Sequence, residues 1–331
     1  FKKTDLVLYI CGKAHYMPRI IYLYILLSAV TLFYSCREKD TPAKKAKAVP
    51  TKRMDFSAIK GITYHEVKRR FSNGLSFDSL GFQQEPSWII KFESNDTIAA
   101  YSPQKNRMQR FYLHYDHGDV YNFAKEWFRI KSFNKDSINM QRLYVNNKEI
   151  AKDIRSDVNL TFYSEDYIKN TLKTTAAELQ KPSARDTAFI KSLSETANRY
   201  PTDENKVFAG RQPAQLIPKS KLITVEKISS VDVLNGKTEA YDYLYPKYRI
   251  EIKKAYKDFG YTFTVFVDEK GKLSLGTFTG AIPEFRDVRK KVLEGIIDVY
   301  LQNLLIVKPG TTLGIPHASL ITVTVKGTKE P

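Results

Sequence analysis

Two imidazoles and two carboxylates fall within the six residues His114-Tyr115-Asp116-His117-Gly118-Asp119, a donor set that suits a divalent transition metal. Positions three apart on a strand point to opposite faces, however, and Asp-His-Gly-Asp has the composition of a turn. His114 and His117 are therefore weak metal candidates, and no metal or other cofactor is expected. His65 and His317 stand alone in the sequence. Asp153, Asp157, Glu165 and Asp166 are close neighbours along the chain, but carboxylates that flank a scissile bond must converge in space. No G-x-S-x-G, H-E-x-x-H or phosphate-loop motif occurs, so the expectation is a protein without catalytic residues.

The remaining reactive side chain is the Cys36 thiol. It closes the uncharged run Ile20 to Phe33 (IIYLYILLSAVTLF), which follows Met17-Pro18-Arg19. A short basic start and an apolar stretch too short for a permanent span read as a signal peptide over residues 17–35. Leu32-Phe33-Tyr34-Ser35-Cys36 resembles the lipobox of bacterial lipoproteins. That resemblance implies cleavage ahead of Cys36, a thioether to lipid, and an acylated terminus held at the membrane. Residues 1–16 read as upstream or non-native sequence and are set aside. Cys11 lies among them and no cysteine follows Cys36, so the processed chain has no intramolecular disulfide.

Residues 36–55 hold REKDTPAKKAKAVPTKRMD after the cysteine, a composition that cannot bury a core and reads as a flexible tether. Of 53 Lys plus Arg and 36 Asp plus Glu, residues 1–36 hold four and one. The processed chain keeps 49 minus 35, a surplus of 14. The surplus is spread along the chain and reads first as a solvated surface; as an attractant it favours anionic headgroups or acidic glycans over nucleic acid, which is not an expected partner.

The expected fold class is α+β. Residues 56–163 carry short aromatic and β-branched runs such as WIIKFES, DTIAAYS, MQRFYLHY, EWFRIKSF and VNLTFY, separated by ESND, DHGD, FNKD and VNNK. Such spacing predicts an antiparallel meander, similar to the lipocalin-like sheets of small envelope lipoproteins. Residues 164–220 read as helical with a Pro-containing linker: Ser164 opens one helix, and Asp186 caps a second that ends before Pro201.

Residues 221–331 read as a second α+β domain. YTFTVFVD, a Glu269-Lys270-Gly271-Lys272 turn and a returning strand precede a helix opened by Pro283. Its periodicity predicts a buried stripe of Phe285, Val288, Val292, Ile296 and Val299, widened by Leu293, Tyr300 and Leu304. Lys308-Pro309-Gly310 and Ile315-Pro316 lead to the final strand Ser319 to Lys326. This β-β-α-β order, with Asp268 to Gly271 as the D-x-x-G turn, resembles the C-terminal domain of TonB. The resemblance implies a protein-docking module. No Pro-rich rod precedes it, so energy transduction is not implied. Ser319, Ile321, Thr322, Val323 and Thr324 are read as a partner-binding edge strand, with Ile321, Val323 and Val325 facing the core.

Four triplets, Asp78-Ser79-Leu80, Asp96-Thr97-Ile98, Asp136-Ser137-Ile138 and Asp186-Thr187-Ala188, match the O-glycosylation acceptor of Bacteroidota, making Ser79, Thr97, Ser137 and Thr187 candidate sites. The sequence thus reads as an envelope lipoprotein, most simply of a Gram-negative outer membrane. Its role would be a non-catalytic interaction or structural module with an envelope protein partner. The alternative is a ligand-binding lipoprotein, holding a glycan or lipid on the aromatic meander; the chain has 21 Tyr and 19 Phe.

Cys36→Ala is expected to abolish incorporation of labelled fatty acid and to leave an unprocessed precursor. Unlabelled wild-type protein in the aqueous phase of a detergent partition would refute the anchor.

Overall fold

Alternating apolar and polar residues, interrupted by Asn, Asp and Gly, fold the first half into antiparallel hairpins. The computed structural model describes residues 53–229, 231, 239–280 and 282–329. The expected signal peptide, Cys36 and the tether up to residue 52 lie outside them. The strands are β1 (Thr63–Phe71), β2 (Ile89–Ser94), β3 (Thr97–Ser102), β4 (Arg107–Tyr112), β5 (His114–His117), β6 (Val120–Phe123), β7 (Glu126–Phe133) and β8 (Ser137–Leu143). A small hairpin, β9 (Val145–Asn146) with β10 (Glu149–Ile150), precedes β11 (Val158–Ser164).

The sheet order is β4-β3-β2-β1-β11-β8-β7-β6-β5, with every pairing antiparallel. Its two outermost strands, β4 and β5, are joined by the single residue Leu113. In a flat sheet, eight spacings of about 4.8 Å would separate them by about 38 Å. Two peptide steps span only about 7 Å. The sheet therefore curls into a nearly closed barrel, helped by bulges in β1, β2, β5 and β7 that bend the strands.

Closure turns one side chain in two inward. Tyr64, Ile90, Phe92, Ile98, Phe128, Ile130, Ile138, Met140, Leu160 and Phe162 fill the interior. The 3-10 turn Ser57–Ile59 brings in Phe56, whose ring lies 4.6 Å from Phe92, 5.1 Å from Phe133 and 5.5 Å from Tyr121. Arg53, read from the sequence as tether, is already engaged with Asp96, and the Met54 N–H donates to the Tyr121 hydroxyl at 3.0 Å. Residues 53 and 54, ahead of the sequence-derived boundary at 56, thus pack against the barrel beside Phe56.

The helical middle is more broken than its periodicity predicts. The Ser164 hydroxyl does accept from the Tyr167 N–H at 3.2 Å, but the helix it starts is only the π-turn Tyr167–Thr171. Lys173, with φ of 52°, ends it, since left-handed backbone cannot propagate a right-handed helix. Thr175 then caps Ala176–Gln180. Ser183, rather than Asp186, caps the Ala184–Arg199 helix; Asp186 stands three residues inside and completes a capping box.

The C-terminal strands are β12 (Gln215–Pro218), β13 (Ile223–Ile228), β14 (Lys247–Lys253), β15 (Phe259–Val267), β16 (Leu273–Phe278), β17 (Leu305–Lys308), β18 (Gly310–Thr312), β19 (Ile315–His317) and β20 (Ser319–Thr328). Five form the sheet β13-β14-β20-β15-β16, while β12 pairs with β17 and β18 with β19. Ile250, Val265, Val267, Ile321, Val323 and Val325 pack against Leu293, Ile296, Ile297 and Leu301 of the helix that begins at Arg286. The Asp268 carboxylate accepts the Lys270 and Lys272 N–H groups at 2.8 Å. Gly271, at φ of +83°, has no room for a Cβ against the Val307 backbone. The D-x-x-G turn is thereby seated on the strand that runs into Lys308-Pro309-Gly310.

A third apolar cluster, built on Phe77, Ile190, Ala197, Phe208 and Ala318, joins the barrel to this sheet. Around it Arg211 pairs with Glu85 at 2.8 Å and lies 4.5 Å over the Tyr243 ring. The mixed α+β class and the dominance of antiparallel pairing follow the sequence-based expectation.

Phe56→Ala is expected to cost about 3–5 kcal/mol, the usual range for emptying an aromatic site in a core. Equilibrium denaturation should show it as a lower midpoint at unchanged slope; a loss under about 1 kcal/mol would mean that Phe56 does not fill the barrel end.

Candidate functional site

Buried charges come first, because burial without partners is costly and often marks chemistry. Glu66, at the β1 bulge, is fully buried. Its carboxylate accepts Arg69 Nε and Nη2 at 2.7 Å each, the Ser87 N–H at 2.9 Å and the Trp88 N–H at 3.0 Å. These four hydrogen bonds engage both oxygens, pin the chain leading into β2 and mark the carboxylate as structural.

Asp186 is equally buried and accepts Arg70 Nη1 at 2.7 Å, the Ser76 N–H at 2.8 Å, and the Ser183 N–H and hydroxyl at 2.7 and 2.6 Å. Burial alone would raise this carboxyl. The hydrogen bonds from Ser183, Ser76 and Arg70 outweigh it and hold Asp186 at about 2. This cluster ties the helix start to the barrel.

The third buried titratable group is His317, whose ring stacks on Phe208 with centroids 3.6 Å apart. Its nitrogens face the Thr312 hydroxyl at 3.0 Å and the Ala318 carbonyl at 3.1 Å. Burial pushes the imidazole down to about 4 despite the Ala318 contact, which favours the proton. A neutral, enclosed imidazole of this kind is a packing element.

The remaining acids do not converge. Asp153 binds Arg155, Asp157 accepts from Ser72, Glu165 meets His65 and Asp166 accepts from Asn170. His114 and His117 are exposed. Asp116 is an extra residue in a β-bulge, so His114 and His117, opposite Asn122 and Val120, share a face after all. Even so, His117 is engaged with Asp116, and among the described residues no three His, Cys, Asp or Glu side chains group together. Of the four candidate acceptor hydroxyls, Ser79 lies in an exposed turn and Thr187 on an exposed helical turn, while Thr97 and Ser137 begin strands and are half-buried. Cys36 is outside the described residues.

The strand read as a partner-binding edge is not one. β20 pairs with β15 on one side and, in parallel, with β14 on the other. Thr322, Val323 and Thr324 therefore have ladder neighbours on both sides, whereas Ser319 and Ile321 pair with β15 alone; the expected alternation holds, with Ile321, Val323 and Val325 in the core. The edges of this sheet are β13 and β16.

Beside β16 lies the feature that sequence periodicity placed on the wrong side. Ile282, Phe285, Val288 and Val299 are each about 60% exposed. The packed stripe is Leu293, Ile296, Ile297 and Leu301; the π-turn Ile297–Leu301 brings Leu301 onto the face that Leu293 and Ile297 already occupy. Phe285 and Val288, which precede that turn, and Val299 within it, all expected in the core, are exposed instead; of the expected set, Leu293 and Ile296 are fully buried. Arg286 sits 5.9 Å over Phe278 at the end of β16, and Arg289 lies 4.6 Å over Tyr261. Aliphatic and aromatic side chains with stacked arginines have the composition of interaction surfaces. An available signal was overlooked: this helix carries more apolar positions than a single buried face can use. The chain matches no protein-family model and no curated protein.

The depressed His317 pKa makes a signed prediction. The unfolded imidazole titrates near 6.5 and the folded one near 4, so the unfolded chain takes the proton first. Stability is full above about pH 6.5 and falls by roughly 3 kcal/mol as pH drops to 4. His317→Gln should flatten this interval relative to wild type. Asp186 contributes separately, with stability present above about pH 4 and lost as pH falls towards 2. Parallel wild-type and His317→Gln profiles from pH 7 to 4 would contradict the assignment.

Proposed function

We propose that this chain is a cell-envelope lipoprotein, anchored through Cys36, that acts as a non-catalytic interaction module. The docking element is the C-terminal sheet and its helix. The observation that carries this reading is the outward stripe of Ile282, Phe285 and Val288, each about 60% exposed beside the edge strand β16. Contiguous exposed apolar surface rimmed by charge marks a contact site more often than a solvated face. The resemblance to the TonB C-terminal domain supports the same role: the hairpin β15–β16, the helix and the closing strand follow in the family's order, with β16 rather than β20 at the edge.

A glycan or lipid inside the meander is the weaker reading, since the aromatics that would hold it are packed against one another. Ser79, Thr97, Ser137 and Thr187 belong to the same proposal as glycan acceptors of an exported protein.

A photoreactive amino acid at position 285 or 288, in native membranes, should give a discrete crosslinked protein band. Val288→Asp should erase the band from position 285 without lowering the melting temperature, because the side chain is exposed. No band, or the same band from exposed Lys326 on the other side of the strand ladder, would overturn the docking surface.

A further inference from the structure

The barrel is nearly closed but retains a seam. β4 pairs with β3 and has no second neighbour among the described strands. The Leu113 N–H donates to the Asp96 carbonyl at 2.8 Å, which fixes the alternation along the pair. Arg107, Gln109 and Phe111 exchange hydrogen bonds with β3, and Met108, Arg110 and Tyr112 turn their backbone N–H and C=O groups away from it.

Next to this open edge is a cleft of about 290 Å³, lined by Trp88, Ala100, Tyr101, Ser102, Phe111 and Ala124. Its floor is rigid: Trp88 lies 5.4 Å from Phe123 and 5.6 Å from Phe128, and its N–H is held by the buried Glu66 carboxylate. The far lip is the β6–β7 turn, where Ala124 and Lys125 have φ of 50° and 66°. Positive φ at both central residues is the pattern of a tight two-residue hairpin, as at Asn147 and Lys148, and it fixes the lip in place. The hairpin Thr97 to Tyr112 carries Lys105, Arg107 and Arg110 and no carboxylate. Arg110 bonds Glu93 at 2.7 Å yet keeps 78% of its side chain exposed.

We infer that this seam accepts an extended acidic peptide of a partner protein, which adds a strand to β4 and seats one apolar side chain in the Trp88 cleft. Strand addition takes affinity from main-chain hydrogen bonds and specificity from a pocket for one side chain, and both components stand here side by side. The chain's own segment Arg37 to Lys52 is a poor occupant, having six basic and two acidic residues. A second copy is equally poor, because it would bring together two hairpins that each carry Lys105, Arg107 and Arg110 and no carboxylate. Cations that merely guard an edge against self-association need no apolar cleft beside it. The site is distinct from the helix surface proposed above and does not depend on it.

The test uses the full chain and a fluorescein-labelled octapeptide alternating Glu and Val, with a central Leu. Saturable binding is expected by anisotropy, weaker at higher salt. The Met108, Arg110 and Tyr112 amides should exchange with solvent about tenfold more slowly in the complex. Met108→Pro, which removes an outward N–H and spares the β3 ladder, and Ser102→Phe, which fills the cleft from its rim, should each weaken binding by about tenfold or more. If Met108→Pro does not fold, Ser102→Phe and the amide exchange decide. The inference is overturned by no binding at millimolar peptide, by binding that leaves those three amides unprotected, or by equal binding of a peptide with Lys in place of Glu.

Discussion

The connection through Leu113 is the constraint on which the first half of the molecule depends. Because a single residue separates β4 from β5, the two ends of a nine-stranded sheet cannot drift apart. A sheet so constrained must curl, and curling sends alternate side chains into one enclosed volume. The aromatic content of the meander is then structural. Phe92, Phe128 and Phe162 belong to one buried interior cluster, in which Phe56 packs on Phe92, Tyr121 and Phe133. The same bend leaves β4 with a free edge where it parts from its continuation, so the closing device also creates the seam.

Buried ionic groups hold the barrel to its own loops and to the helical middle of the chain. Glu66 with Arg69 and Asp186 with Arg70 use neighbouring arginines of β1 in opposite ways. One pair holds the incoming loop of β2, and the other holds the capped start of the Ala184–Arg199 helix. Each carboxylate accepts four hydrogen bonds, with both oxygens engaged and an arginine among the donors, which is the condition under which a buried charge is tolerable. From that helix the contacts run through Asn198, which receives the Ala318 N–H at 2.8 Å, to the strand that closes the C-terminal sheet. The enclosed His317 lies at this junction, so the joint is one that acid weakens.

The C-terminal sheet distributes its functions by strand position. Central β20 is paired with β14 and β15 and serves the core, whereas β16 lies at the edge and the outward side of the helix is exposed. Leu293, Ile296, Ile297 and Leu301 reach the sheet, the last of them through the π-turn Ile297–Leu301, while Phe285, Val288 and Val299 turn away from it.

The sequence by itself determined the α+β class, the antiparallel meander, the Asp268 to Gly271 turn and the inward set Ile321, Val323 and Val325. These rest on local chemistry: period-two alternation, turn residues and a glycine at positive φ. It also carried the reading of Cys36, which depends on a linear motif and needs no fold. Only the tertiary structure decided that β20 is central, because its parallel partner β14 is far away in sequence and a strand's own pattern does not reveal how many neighbours it has. It likewise decided which helix face is buried, since a helix with apolar residues on more than one side does not say which side meets the sheet, and that His114 and His117 share a face, since one bulge reverses the alternation. Closure of the barrel, and with it the open edge of β4, follows from the pairing of β1 with β11. That contact joins the two halves of the meander, and no short stretch of sequence encodes it.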